Sequence, residues 1–230
     1  VTDTAVEGEV EPSDAEPLVT VIMPTYRPDR NIFTAVRAVL TQTHKNLELI
    51  IVDDGSGPEY GEVFQELRAL DPRVVVVEAA ENAGAYAARN LGVKRARGDY
   101  ITVQDDDDWA HAQKLEWLVA YLEDNPSLLA AVGSHVRFSE DGEFIRIWNR
   151  PHFSVPGYAA ILFRKRAFEE VGLWQEVRKA GDSELMERIQ AAQVVNIPAI
   201  GKAPTTLTRV GVGRLTSGEL NRGYIAPARR

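Results

Sequence analysis

Four consecutive aspartates at residues 105–108 are the strongest chemical signal in the sequence. They follow residues 100–103, a short run typical of a buried strand. Adjacent carboxylates repel one another, and a divalent cation relieves that repulsion. Because carboxylate oxygens select hard ions, the run predicts a Mg²⁺, Mn²⁺ or Ca²⁺ site. The alternative is a solvated acidic turn in which Asp108 caps a helix that begins near Ala110.

A second acidic pair, Asp53 and Asp54, follows another apolar run at residues 47–52. In dinucleotide folds, a carboxylate at the end of a strand accepts a hydrogen bond from the nucleoside. The pair therefore indicates a nucleotide site. The alternative is that Asp54 only starts an Asx turn before Gly55.

Gly84, Arg89 and Asn90 form a third group of interest. Glycine lets the backbone approach a ligand closely, and the N-terminus of the helix that follows favours anions. Arg89 either contacts such a ligand or pairs with the acidic strand ends. Neither the GxGxxG dinucleotide motif nor the GxxxxGK[ST] phosphate loop occurs in the sequence.

Asp182 lies where a loop becomes a helix, so it is either an ordinary N-cap or a general base that reaches an acceptor hydroxyl. Three aromatic residues, Trp148, Tyr158 and Trp174, either stack against sugar faces or belong to the core. The four histidines are scattered without the spacing of metal ligands, which favours surface or packing roles.

The predicted elements of the first half alternate between strand and helix. Strands are predicted at residues 18–23, closed by Pro24, and at residues 47–52, 74–77 and 100–103; helices are predicted at residues 31–43, 63–70 and 85–95. This order predicts a parallel sheet with helices on both faces. Ligands of such sheets bind at the carboxyl ends of strands. Residues 25–27 and both acidic groups should therefore meet in one crevice.

The second half has a different pattern. It contains a predicted helix around residues 115–122, strands at residues 129–138 and 144–148 around an Asp141-Gly142 turn, a strand at residues 159–163, and helices at residues 166–171 and 182–192. The hairpin is an antiparallel feature. We therefore predict one mixed α/β domain over residues 18–205, with a nucleotide-binding half at residues 18–110 and an acceptor half at residues 111–205.

Composition limits the class of protein. The 230 residues suffice for one domain with a substantial core, and the net charge of −8 argues against a nucleic-acid partner. Cysteine is absent, which excludes disulfides and thiolate zinc sites. No apolar run of about 18 residues occurs. Residues 1–17 are expected to form an acidic tail or linker and residues 206–230 an extension, in a chain that belongs to a larger protein.

Several short motifs occur in one order along residues 18–195. They are VIMPTYR at residues 21–27, LTQT at 40–43, LIIVDDGS at 49–56, GAYAARNLG at 84–92, GDYI at 98–101, DDDD at 105–108 and KLE at 114–116. Together they resemble glycosyltransferase family 2. The resemblance implies a GT-A fold, a nucleotide-diphosphate sugar donor, with UDP the commonest nucleotide, and inversion at the anomeric carbon.

The resemblance also implies roles for individual residues. Nucleotide contacts are expected at Pro24, Thr25, Tyr26, Arg27, Asp53, Asp54, Gly84, Arg89, Asp105 and Asp106. Asp105 and Asp107 would form the DxD pair that holds Mn²⁺ or Mg²⁺ with the diphosphate, and Asp182 would be the general base. Acceptor contacts are expected at Tyr158, Trp174 and Glu184.

By family analogy, the expected partners are the donor, a glycan or glycolipid acceptor and a membrane-associated biosynthetic complex, with the protein in the cytoplasm or peripheral to the inner face of the membrane. Gly181 departs from the family pattern, which often has an acidic residue there. Residues 208–223, with Arg209 and Arg214, suggest a mobile lid. A metal-dependent nucleotidyltransferase and a non-catalytic nucleotide-sugar-binding module are the alternatives.

Overall fold

The computed structural model describes residues 16–139, 141–145, 153–177, 180–193 and 199–210. Its strands are β1 (Val19–Thr25), β2 (Leu47–Asp53), β3 (Val74–Glu78), β4 (Tyr100–Val103), β5 (Trp109–Ala110), β6 (Ala130–Ser139), β7 (Phe144–Ile145), β8 (Val155–Arg164) and β9 (Ala199–Val210). Its helices are α1 (Ile32–Leu40), α2 (Gly61–Leu70), α3 (Ala85–Arg95), α4 (Lys114–Asp124), α5 (Lys165–Val171) and α6 (Gly181–Gln193), with a 3₁₀ turn at Pro58–Tyr60.

One continuous sheet has the strand order β3-β2-β1-β4-β8-β6-β9-β5, and β7 pairs with β6. The first four strands in this order are parallel, as the alternation of strand and helix predicts. β8 is antiparallel to both β4 and β6, whereas β9 is parallel to β6 and antiparallel to β5. The predicted mixed α/β class is confirmed, with the parallel part first and the mixed part second.

The sheet divides the core into two layers. On β1, Val21 and Met23 face a cluster formed with α1, α2 and α4, whereas Ile22 faces a cluster formed with α3, α5 and α6. Helix α3 approaches the sheet closely at Gly92, where an added Cβ would lie 2.5 Å from Cγ2 of Ile22. This close packing brings the side chains at the start of α3 to the carboxyl edge of the sheet.

The first strand runs further than predicted. β1 continues through Pro24 to Thr25 in register with β2. Its pairing with β4 ends at Ile22, so the missing N–H of Pro24 removes no ladder bond on that side. The alternative in which a helix begins near Ala110 is wrong, because Trp109 and Ala110 pair with β9 as a short strand and α4 begins at Lys114.

The second half contains a strand that the sequence patterns do not predict. β9 crosses the boundary expected at residue 205, so residues 206–210, including Arg209, belong to the sheet. The remainder of the expected lid, with Arg214, lies outside the described residues, as do residues 1–15 of the expected tail and Trp148. In the described part of the chain, every helix is too short or too polar to cross a membrane.

Candidate active site

The carboxyl ends of β1, β2 and β4 meet, as predicted. The Asp54 N–H donates to the carbonyl of Thr25 at 2.9 Å, which joins the ends of β2 and β1. The Thr25 hydroxyl donates a short hydrogen bond to Asp106 in the acidic run after β4. One residue of β1 thus connects both acidic groups, and the crevice expected from the sequence is present.

Asp53 builds the turn after β2. Its Oδ1 accepts hydrogen bonds from the N–H and the hydroxyl of Ser56, and the Ser56 hydroxyl oxygen accepts the Arg27 N–H at 2.7 Å. The turn considered for Asp54 is therefore made by Asp53. Tyr26 is 44% exposed, and the Arg27 guanidinium lies 5.0 Å from its ring centroid. The Tyr26 ring is available to a ligand at this edge.

Asp54 is buried and holds the segment that precedes α3. Its two carboxylate oxygens accept the N–H groups of Ala83 and Gly84, at 2.9 Å and 2.8 Å. Gly84 has a φ of +97°, a backbone conformation that is strained for residues with a Cβ and therefore favours glycine. Asp54 thus fixes the backbone next to which a nucleotide would lie.

Arg89 of α3 joins the acidic run to Asp182. Its Nη1 donates to Asp182 Oδ1 at 2.7 Å and its Nη2 to Asp105 Oδ1 at 3.1 Å. Burial lowers the pKa of Arg89, but the charges of Asp105 and Asp182 outweigh that effect and raise it above its ordinary value. Of the two roles considered for Arg89, the pairing with an acidic strand end is present in the structure; its contact with a nucleotide stays a prediction.

Asp182, near the start of α6, is held by side chains from outside its helix. Besides Arg89, the indole Nε1–H of Trp174 donates to Oδ1 at 3.0 Å and the Tyr86 hydroxyl donates to Oδ2 at 3.2 Å. Tyr86 fits because residue 181 is glycine, where an added Cβ would lie 2.9 Å from the Tyr86 ring. The carboxylate therefore has a defined orientation beside Asp105.

The expected acceptor residues have different surroundings. Trp174 is 3% exposed and packs against Phe163 and Phe168, so of the two roles considered for its ring the structure shows the core one. Glu184 pairs with Arg188 one turn along α6, which lowers its pKa, and is not brought to the group around Arg89. Tyr158 belongs to β8, and its side chain lies outside the described part of the structure.

Two buried ionisable residues, Asp108 and Lys114, lie behind the acidic run. Their burial was not predicted from the sequence. Asp108 does not cap a helix: its Oδ1 accepts the Arg209 N–H at 3.0 Å. Burial, with Asp105 nearby, raises the pKa of Asp108, and burial lowers that of Lys114. The Lys114 ammonium donates to Gln104 and to the Ala159 carbonyl. The sequence did contain a signal that Lys114 is buried. It lies four and eight residues before Leu118 and Leu122, and therefore on the same apolar face of the helix.

The acidic run suits a hard cation by its chemistry. The Asp105 side chain is 42% exposed and supplies carboxylate oxygens at the crevice, and Asp107 follows in the same turn. No cluster of three or more His, Asp and Glu side chains preforms a metal site among the residues described. Asp105 and Asp107 therefore fit an ion whose remaining ligands come from a bound diphosphate or water. A cavity of about 50 Å³ adjoins this edge, lined by Arg89, Val103, Asp105, Ala159, Phe163, Trp174 and Asp182.

Sequence comparison connects the chain to known proteins. The model described as Glycosyl transferase family 2 matches residues 20–176. Glycosyltransferase GlyA of Streptococcus pneumoniae is 36% identical over 122 residues, covering 53% of this chain and 17% of GlyA. Glycosyltransferase GlyG of the same organism is 33% identical over 128 residues, covering 55% of this chain and 42% of GlyG. The chain thus spans less than half the length of either relative.

Structure comparison identifies the fold as GT-A. The TarS 1–349 structure from S. aureus, in complex with UDP-GlcNAc, has a TM-score of 0.67 at 16% identity, covering 86% of this chain and 60% of that one. The Pyrobaculum calidifontis mannosyltransferase PcManGT, in complex with GDP-Man and Mn²⁺, has a TM-score of 0.68 at 21% identity, covering 91% and 61%. These likenesses confirm the predicted fold of the domain.

Proposed function

This chain belongs to glycosyltransferase family 2, and we propose that its domain transfers a sugar from a nucleotide-diphosphate donor to a hydroxyl of a glycan or glycoconjugate, with inversion. A UDP-sugar is the expected donor, consistent with the UDP-GlcNAc bound to TarS. The comparisons match glycosyltransferases, so they favour transfer of a sugar over the nucleotidyltransferase alternative. The acceptor and any membrane-associated complex are proposals by family analogy.

One observation carries the proposal: a single guanidinium, that of Arg89, connects Asp182 with Asp105. The two carboxylates are 77 positions apart in sequence, by their residue numbers. Their proximity supports a base and a diphosphate site on one crevice, as sugar transfer to a hydroxyl requires. A mere N-cap at residue 182 would not need Arg89, Trp174 and Tyr86 as donors.

Asp182 is the proposed general base. In an inverting transfer, the acceptor oxygen attacks the anomeric carbon from the face opposite the leaving diphosphate, and its proton passes to a carboxylate oxygen. Arg89 and Trp174 both donate to Oδ1, whereas Tyr86 donates to Oδ2 at the longer distance of 3.2 Å. We propose that Oδ2, the less tightly held oxygen, receives the proton. No covalent intermediate with the protein is required.

The acidic run is the proposed diphosphate side of the site. A divalent cation held there by Asp105 and Asp107 would neutralise the negative charge of the leaving diphosphate. Arg89 keeps Asp105 oriented, and Thr25 holds Asp106 against the end of β1. On the nucleoside side, Asp54 orients the backbone at Gly84, and the exposed ring of Tyr26 provides a face for the base.

Nucleotide binding tests the donor side. The thermal unfolding midpoint is measured with UDP, GDP, dTDP and CDP, each with Mn²⁺ and with EDTA. A ligand at about 100 times its Kd stabilises the fold by about 2.7 kcal/mol. We expect a shift with UDP and Mn²⁺ that is lost in EDTA and in Asp107→Ala, and retained in Asp141→Ala, an exposed turn aspartate. No shift with any nucleotide at millimolar concentration would contradict the proposed site.

Turnover tests the base and the non-catalytic alternative. Asp182→Asn keeps the size of the side chain but removes the carboxylate, so kcat should fall by about 10² to 10⁴ while UDP binding is retained. Glu187→Gln is the control: Glu187 is an exposed carboxylate of the same helix, so its substitution should change kcat little. Equal turnover by the wild-type and Asp182→Asn proteins would refute the base. A domain that binds the donor but transfers to no acceptor would be a binding module.

A further inference from the structure

Asn90 is a buried amide of α3 whose hydrogen-bonding groups are all occupied by one loop. Its Nδ2 donates to the Trp174 carbonyl at 2.9 Å and to Glu176 Oε1 at 3.3 Å, and its Oδ1 accepts the Trp174 N–H at 3.1 Å. Asn90 is 3% exposed. A buried amide satisfied at each of these positions leaves the bound segment little freedom. Asn90 therefore binds both the N–H and the carbonyl of Trp174. We call this pair of hydrogen bonds the Asn90 clamp.

Trp174 connects that clamp to Asp182. Its indole Nε1–H donates to Asp182 Oδ1 at 3.0 Å, and its ring packs against both Phe163 and Phe168, at centroid distances of 5.8 Å and 5.1 Å. A rotation of the Trp174 backbone would move the indole N–H away from the carboxylate. The orientation of Asp182 thus depends on where Asn90 holds the chain.

Three residues of α3 contact Asp182 or Trp174, and they act in different ways. Tyr86 and Arg89 reach Asp182 directly, whereas Asn90 reaches it only through Trp174. Tyr86 and Arg89 also stack, with the guanidinium 5.1 Å from the ring centroid. The first turns of α3 therefore determine the geometry around the proposed base. Of the three residues, Asn90 acts indirectly, through Trp174.

We propose that Asn90 is a positioning residue for sugar transfer: by holding both backbone polar groups of Trp174, it aims the indole N–H that orients Asp182. This inference rests on the proposed role of Asp182 as the base. It assigns Asn90 no contact with donor or acceptor. Loss of Asn90 should therefore lower kcat and leave donor affinity and the donor KM unchanged.

A double-mutant cycle tests the route through Trp174. Trp174→Phe keeps an aromatic ring against Phe163 and Phe168 but removes the N–H donor. Because a misplacement of about 1 Å can cost about 10²-fold in rate, each single variant, Asn90→Ala and Trp174→Phe, should lower kcat by about ten- to a hundredfold. In the Trp174→Phe background, adding Asn90→Ala should cause little further loss, since both changes break one route.

Multiplicative losses in the cycle, or a raised donor KM in Asn90→Ala with kcat intact, would overturn the inference. The control is Asn125→Ala, which removes an amide bonded to the Tyr121 carbonyl at the end of α4, away from this group. It should leave kcat unchanged. If Asn90→Ala does not fold, Asn90→Ser is used instead. The indole ¹H–¹⁵N resonance of Trp174 then reports the surroundings of the indole N–H independently of turnover.

That resonance is assigned by its disappearance in Trp174→Phe. It should shift in Asn90→Ser and keep its wild-type position in Asn125→Ala; an unmoved resonance in Asn90→Ser would refute the clamp. Asp182→Asn separates the two proposals. If it turns over like the wild-type protein, the base assignment fails, whereas an inactive Asp182→Asn with a multiplicative cycle removes only the role of Asn90.

Discussion

At the scale of the residue, Arg89, Asp54 and Asp182 each had two interpretations in the local sequence. Tertiary contacts show the ion pairing of Arg89 with Asp105, and they assign the turn after β2 to Asp53 rather than Asp54. For Asp182 they supply three side-chain donors from other segments, which supports its proposed role as base. Side-chain partners so far apart in sequence leave no periodic signal, so motif reading alone could not choose among these roles.

Gly181 illustrates how one small residue changes a site. It stands where the family often has an acidic side chain, and the Tyr86 ring lies where that side chain would begin. The space is thus filled from α3 instead of from α6. A tyrosine hydroxyl, that of Tyr86, therefore lies beside Asp182 at this position.

Gly181→Ala tests this exchange. The new Cβ would lie 2.9 Å from the Tyr86 ring, so the ring must move and its hydrogen bond to Asp182 should be lost. We expect kcat to fall by roughly tenfold, as expected for a small misplacement of the base, with UDP binding retained. Steady-state kinetics measure the effect. Gly61→Ala is the control, because nothing lies within 4 Å of its added Cβ; equal kcat values for both variants would contradict the prediction.

At the scale of the element, β9 is the main difference between expectation and structure. It lies parallel to β6, and residues 206–210 of the expected extension are part of it. Its run APTTLTRV mixes proline and threonine with few large apolar residues, so no strand period stands out. β9 is a strand because it pairs with β5 and β6. Its Arg209 N–H donates a hydrogen bond to Asp108, the last residue of the acidic run.

Buried His135 on β6 makes the stability of this strand group depend on pH. Its ring lies against β8 at Gly157 and meets the Thr208 hydroxyl of β9 at 3.2 Å. Burial, with Arg137 nearby, lowers the pKa of His135 from 6.5 to about 4. The folded protein therefore holds His135 neutral at pH values where the unfolded chain already binds a proton.

The sign of the effect follows from this difference. As pH falls from 6.5 to about 4, the free energy of unfolding should decrease, by an amount on the order of 3 kcal/mol for this group, with no contribution above pH 6.5. Urea unfolding of the wild-type and His135→Gln proteins across this range measures it. The difference between their free energies of unfolding should change with pH across this range. Parallel curves for His135→Gln would refute the prediction.

At the scale of the whole molecule, one sheet joins the nucleotide and acceptor halves. β4 pairs with β1 on one side and with β8 on the other, and the Thr102 hydroxyl of β4 donates to the carbonyl of Ile161 on β8. The two core layers also cross the boundary, since Leu162 belongs to the layer that holds Val21. The boundary at residue 110 is therefore not a break in packing.

We expect the two halves to unfold in one transition, because the sheet and both core layers are shared. Far-UV circular dichroism reports the helices of both halves, and tryptophan fluorescence reports four residues near or beyond the boundary, Trp109, Trp117, Trp148 and Trp174. The two urea midpoints should coincide in the wild-type protein and shift together in Leu162→Ala, which removes core contacts at a cost of about 2–5 kcal/mol. Separated midpoints would show that the halves are independent.

Three features could be predicted from the amino-acid sequence: the order of strands and helices in the first half, the carboxyl-end position of both acidic groups, and the family, through motifs in a consistent order. These features depend on local periodicity and on the rule that parallel strands end at one edge. Other features became visible in the folded chain alone: Arg89 meets Asp182, Asn90 holds Trp174, and the Trp174 ring is buried. Those outcomes depend on which distant segments pack together, because a polar group buried away from water must form its hydrogen bond with a partner that lies nearby in the folded chain.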